Sequence, residues 1–103
     1  MITKDLLVIP GNKLYIINVN DYKFVRIIDI PGSKKVSGIC LVNKSVLYTG
    51  DVGGKIIQWK IDGDNLYFIS QKQKAHNDQI NVLLNMKNGQ IASGSDDYSI
   101  KIW

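Results

Sequence analysis

Residues 36–59 can be laid against residues 80–103 without a gap, and this internal match constrains the fold more than any other feature of the chain. Val36 falls on Ile80, Ile39 on Leu83, Leu47 on Ile91, Gly50 on Gly94, Ile56 on Ile100 and Trp59 on Trp103. Few letters are identical, so what repeats is an order of apolar and turn-forming positions. A fainter copy precedes it. GNKLYIINVN, residues 11–20, lies on GGKIIQWKID, residues 53–62, and puts Ile17 where Trp59 falls. The spacing is thus 42 positions (17 to 59), then 44 (59 to 103). Self-similarity at such a spacing means supersecondary units that bury their apolar faces against one another.

Each unit is written in strands. DLLVI (5–9), KLYIINV (13–19), KFVRIIDI (23–30), VSGICLV (36–42), SVLYTG (45–50), KIIQWKI (55–61), NLYFISQ (65–71), INVLLNM (80–86), QIASG (90–94) and SIKIW (99–103) are β-rich runs. Gly, Asn, Asp or Pro stand between most of them, at the spacing of antiparallel meanders. No stretch keeps a helical period. All nine acidic residues are Asp and none is Glu, which also leans the chain away from helix. The predicted fold class is all-β, with antiparallel four-stranded meanders forming an incomplete β-propeller of roughly two and a half blades. The predicted divisions are 1–31, a degenerate partial blade; 32–75, the middle blade; and 76–103, a last blade without its outer strand.

Composition limits the function classes. The net charge of +4 is spread along the chain, with Lys34-Lys35 and Lys72/Lys74 its tightest pairs. Nucleic-acid binding needs several cations converging on one face, so no clear nucleic-acid partner is expected. Cys40 is the single cysteine and excludes an internal disulfide. It lies in the apolar run GICLV and is expected to pack as a small hydrophobe. No apolar run reaches the length of a membrane span, and MITKDLLVIP makes a poor signal peptide. The expectation is an intracellular, cytoplasmic protein without a membrane partner. No metal-ligand cluster, phosphate loop or paired-carboxylate site is present, so no metal and no cofactor is expected. The glycine-rich stretch 50–54 leads into a strand rather than a helix and does not resemble a phosphate-binding loop.

The segment HNDQINVLLNMKNGQIASGSDDYSIKIW, residues 76–103, resembles a repeat of the WD-repeat β-propeller family. His76 stands four residues before Ile80, and SGSDD stands just ahead of the strand that ends in Trp. The resemblance implies a hydrogen-bonded network within the blade: a His before the first strand, a Ser or Thr on the second, an Asp in the following turn and a Trp on the third. The matching residues are His76, Ser93, Asp97 and Trp103, with Ser95 close to Ser93. A buried imidazole needs partners on both nitrogens and an indole N–H needs an acceptor, so such a network has a physical sense of its own. In the middle unit Thr49 and Trp59 match Ser93 and Trp103, but Gly53 stands in place of Asp97 and Gly32 in place of His76. That blade is expected to lack the full network and to rely on packing. Lys60 follows Trp59 where the family has Asp.

The letters Ser, His and Asp also spell a hydrolytic triad. A triad needs an exposed nucleophile beside its base, and an oxyanion hole. Here the letters fall at repeat spacing with a tryptophan, and no strand–elbow–helix surrounds the serine. The expectation is a structural network and no enzyme.

The resulting functional expectation is a non-catalytic protein–protein interaction scaffold. The alternative is an accessory segment of a signalling or ubiquitin-pathway protein whose enzymatic domain lies elsewhere. By resemblance, a protein or peptide partner docks on the loops at 33–35, 51–53, 73–78 and 96–98, with Lys34, Lys35, Asp51, Asp78 and Tyr98 as the contact residues. Unpaired strand edges invite self-association. The last strand of the last blade has no sequence to supply it, which reads as a cut through a larger propeller.

Overall fold

The computed structural model describes residues 6–32 and 34–103. Asp5, the expected start of the first strand, and Ser33, in one expected docking loop, lie outside the described residues. The described chain forms ten strands: β1 (Leu6–Ile9), β2 (Leu14–Asn18), β3 (Phe24–Ile28), β4 (Val36–Asn43), β5 (Val46–Asp51), β6 (Ile56–Asp62), β7 (Asn65–Lys72), β8 (Ile80–Asn85), β9 (Ile91–Ser95) and β10 (Ile100–Ile102). Each of the ten runs predicted from sequence carries one of them. They pair as three antiparallel meanders, β1-β2-β3, β4-β5-β6-β7 and β8-β9-β10. No helix among the described residues is long and apolar enough to cross a membrane.

The turns form where short polar side chains can fold back on the backbone. Asn18, Asp21, Asn43, Asp51, Asn85 and Asp97 each accept a hydrogen bond from the N–H two residues on, which substitutes for a turn's own backbone bond. The repeat reappears in these bonds. Asp51 N–H donates to Lys55 O and Ser95 N–H to Ser99 O; Val52 N–H donates to Lys35 O and Asp96 N–H to Gln79 O. The second and third sheets therefore share turn geometry at positions where their letters differ.

The sheets pack face to face, and the alternation along each strand decides which side chains meet. Between the first and second sheets lie Val8, Leu14, Ile16, Leu47, Ile57 and Trp59, all buried. Between the second and third lie Cys40, Ile56, Ile80, Leu83 and Ile91, with Tyr48 and Trp103 packed against them. Cys40 is buried in this layer, and burial raises its thiol pKa. The approach of the third sheet is close: a Cβ on Gly50 would lie 2.7 Å from Ile80 Cγ2. Ser37 Oγ donates to Ile80 O at 2.5 Å and Asn85 Nδ2 to Val42 O at 3.2 Å, so hydrogen bonds cross at both ends of this layer.

Candidate functional site

The loop that leads into β8 carries His76, which is 1% exposed. Its backbone is fixed by a bond from His76 N–H to Gly54 O at 3.0 Å. The contact demands glycine, since Gly54 has φ +87° and a Cβ there would lie 2.0 Å from His76 O. The imidazole then reaches across the third sheet. Nε2 lies 2.7 Å from Ser93 Oγ on β9. Nδ1 lies 3.0 Å from Asp97 Oδ2 and 3.0 Å from Ser99 Oγ in the turn before β10. Trp103 Nε1 donates to the same Ser93 oxygen at 2.8 Å.

One assignment of protons satisfies this chain of groups. The indole N–H of Trp103 donates to Ser93, the Ser93 hydroxyl donates to Nε2 of a neutral imidazole, and Nδ1–H donates to Asp97. Asp97 also accepts from Asn77 N–H at 3.0 Å, from Ser99 N–H at 3.0 Å and from the Ser99 hydroxyl. The Ser99 hydroxyl contributes most to holding its carboxyl well below the usual carboxylate range. Partial burial opposes this, and the Asn77, His76 and Ser99 N–H groups add to it.

The order Ser93–His76–Asp97 has the distances of a nucleophile, its base and the base's orienting carboxylate. Its setting differs from that of a working triad. Ser93 is 1% exposed and its oxygen is engaged by the indole as well as the imidazole. A substrate carbonyl would have to displace Trp103 to reach it. Lys101 Nζ, bonded to Ala75 O at 2.7 Å, and Lys72 Nζ, 4.9 Å above the Trp103 ring, add further ties around the same place.

The second sheet handles the same positions differently. Trp59 Nε1 donates to Thr49 Oγ1 at 2.9 Å, and both residues are buried. No histidine completes this pair. Instead Lys55, the counterpart of Ser99, is buried and bonded to Pro31 O, with its Nζ 4.0 Å from Asp51 Oδ2. Asp51 Oδ1 accepts from Gly53 N–H at 2.9 Å and Lys55 N–H at 3.0 Å. The middle unit thus adds to the packing expected of it a buried Asp51 turn and a Lys55 ammonium bonded to Pro31 O, while Asp51 Oδ2 makes no hydrogen bond. Sequence reading missed Lys55. Its one signal was position, a lysine directly before the strand that carries Trp59.

The expected contact residues divide. Lys34, Lys35, Asp78 and Tyr98 are exposed on the loops, Tyr98 fully so. Asp51 is 3% exposed and spent on its own turn, so it leaves the contact set: its carboxylate is needed inside. Lys34 lines a cleft of about 340 Å³ with Gly53, Lys55, Gln73 and Lys74, which places Gln73 and Lys74 beside it on the loop surface. Among the described residues no group of His, Cys, Asp and Glu could hold a metal ion.

No protein-family model and no curated protein matches the sequence. Solved structures do match the fold. The computationally designed Ika4 protein is similar over 100% of this chain, with a TM-score of 0.77 and 16% identity, and the match covers 62% of its own chain. A chain of the mitotic checkpoint complex is similar over 96% of this chain, with a TM-score of 0.80 and 22% identity, and the match covers 31% of its length. At these identities the likeness is one of fold, and the chain spans less than two thirds of either match. What the chain is similar to is an all-β arrangement of repeated antiparallel sheets.

Proposed function

We propose that the chain is a non-catalytic protein-interaction module, built from WD-type repeats stacked as propeller blades, whose exposed loops dock a protein or peptide partner. The observation that carries this reading is how the polar groups are divided. Ser93, His76 and Thr49 are buried and hydrogen-bonded within the fold, whereas Lys34, Lys35, Asp78 and Tyr98 are exposed on the loops. A rigid sheet scaffold that spends its buried polar groups on fixing loops leaves those loops to recognise something. Mixed charge with one exposed aromatic suits a polar protein surface or peptide.

Two experiments separate this from a hydrolase. A fluorophosphonate probe should leave Ser93 unlabelled; labelling that disappears in Ser93→Ala would contradict the reading. Partner capture should be compared between wild type and the variant Lys34→Ala, Lys35→Ala, Asp78→Ala, Tyr98→Ala, with Tyr67→Ala on β7 as a control. Binders retained by the control and lost by the fourfold variant support the loop surface. Capture that the fourfold variant leaves unchanged removes it.

A further inference from the structure

The third sheet has one face on the second sheet and the other open. Val82, Gly94 and Ile100 stand opposite one another across its strands, as do Leu84, Ala92 and Ile102, so these six share the open face. Val82, Leu84, Ile100 and Ile102 are all exposed, Ile100 by 79%. Such a continuous apolar face marks an interaction surface, where single exposed side chains would not.

The repeat says what kind of surface it is. Forty-four positions earlier, the same face of the second sheet consists of Gly38, Gly50 and Ile56 beside Cys40, Tyr48 and Gln58. There it is covered by the third sheet through Ile80, Leu83 and Ile91. Forty-two positions earlier again, Leu6, Val8, Leu14 and Ile16 form that face of the first sheet, and the second sheet covers it. The chain makes this interface twice and leaves it bare the third time. The other half of the interface is bare too. Leu7, Ile17 and Phe24 align across the first sheet, as do Ile9, Tyr15 and Ile27. This face is apolar apart from the Tyr15 hydroxyl, with Phe24 57% exposed and Leu7, Tyr15 and Ile17 half-buried. Its Leu7, Tyr15 and Ile17 are the counterparts of Thr49, Ile57 and Trp59, which the second sheet turns towards the first.

We propose that a second copy of the chain seats its first sheet on the open face of the third sheet, head to tail, continuing the stacking that the chain performs internally. Continuity with the internal packing selects this occupant, because the first sheet offers the counterpart of the face that the second sheet turns towards the first. Tyr98 marks the rim of the open third-sheet face. It stands where Gly54 stands one repeat earlier. Both residues have positive φ, and both close the same turn, Tyr98 N–H to Ser95 O and Gly54 N–H to Asp51 O. At Gly54 the loop into β8 comes so close that a Cβ would strike the His76 carbonyl. Tyr98 carries that Cβ and the ring beyond it, so a sheet whose leading loop arrives as His76 does is shut out. A contact of this head-to-tail kind leaves one bare face at each end of the pair, so further copies can add. The inference rests on packing and does not depend on the loop-docking reading.

The full chain tests it by sedimentation equilibrium. Leu84→Lys with Ile100→Lys closes the third-sheet face, and Phe24→Lys with Ile27→Lys closes the first-sheet face. All four side chains are exposed, and far-UV circular dichroism checks that each variant keeps its sheets; glutamine replaces lysine in any variant that does not. Wild type is expected above the mass of one chain and rising with concentration. Each double variant alone is expected at one chain, and their equimolar mixture at two. The proposal is overturned by a wild type that stays at one chain, by a double variant that associates alone as wild type does, or by a mixture that stays apart. Association of both variants alone would assign it to strand edges, which neither substitution touches.

Discussion

Single side chains decide where polarity is hidden and where it is offered. Thr49→Val keeps the shape of its site but removes the acceptor for the buried Trp59 indole, and should cost about 1–3 kcal/mol in a denaturant titration. Asp97 sets a pH dependence. Its folded pKa lies below its unfolded value of about 3.9, so the native state binds fewer protons than the unfolded chain in acid. The stability it contributes is present above that value and is lost as pH falls towards the folded value. Denaturant midpoints measured from about pH 5 down to pH 2 should fall more steeply for wild type than for Asp97→Asn, which starts lower. An equal slope in the two would contradict this account of Asp97. The resemblance of residues 76–103 to a known repeat is what singled out His76, Ser93, Asp97 and Trp103. It was not enough for Asp51. A turn aspartate can bond outward or inward, and here its Oδ1 turns in to accept the Gly53 and Lys55 backbone N–H groups.

At the scale of elements, the turns join one sheet to the next. Strand positions were legible because alternating apolar residues and Asn, Asp or Gly turns are local properties. Which face of a strand meets which neighbour was not, because that depends on contacts 40 or so residues apart. Gly54 shows the difference. In sequence it is one more glycine in a turn; in the fold its bare α-carbon lets the His76 carbonyl pass. Gly89 also has positive φ, but nothing lies within 4 Å of a Cβ built on it. Gly89→Ala should therefore cost only the left-handed backbone penalty of about 1–2 kcal/mol. Gly54→Ala adds a steric conflict and should cost at least about 3 kcal/mol. Thermal melts of the two variants compare them directly, and equal losses would place the His76 loop elsewhere.

For the whole molecule, the two apolar layers share the second sheet, so neither can open without exposing a face of it. The radius of gyration of 13.1 Å is that of a compact chain of about 100 residues, consistent with one cooperative body. The repeat in the sequence carried the sheet order; the open faces at both ends of the stack were not visible there, because an apolar strand residue looks the same whether or not a neighbour covers it. The central claim is that Ser93 is a fastening of this body and not a nucleophile. Ser93→Ala strands the His76 imidazole and the Trp103 indole together. Its thermal unfolding, followed at one fixed protein concentration, should remain a single transition displaced downward by roughly 10 °C, the equivalent of about 2 kcal/mol. A melting temperature equal to that of wild type would contradict the claim.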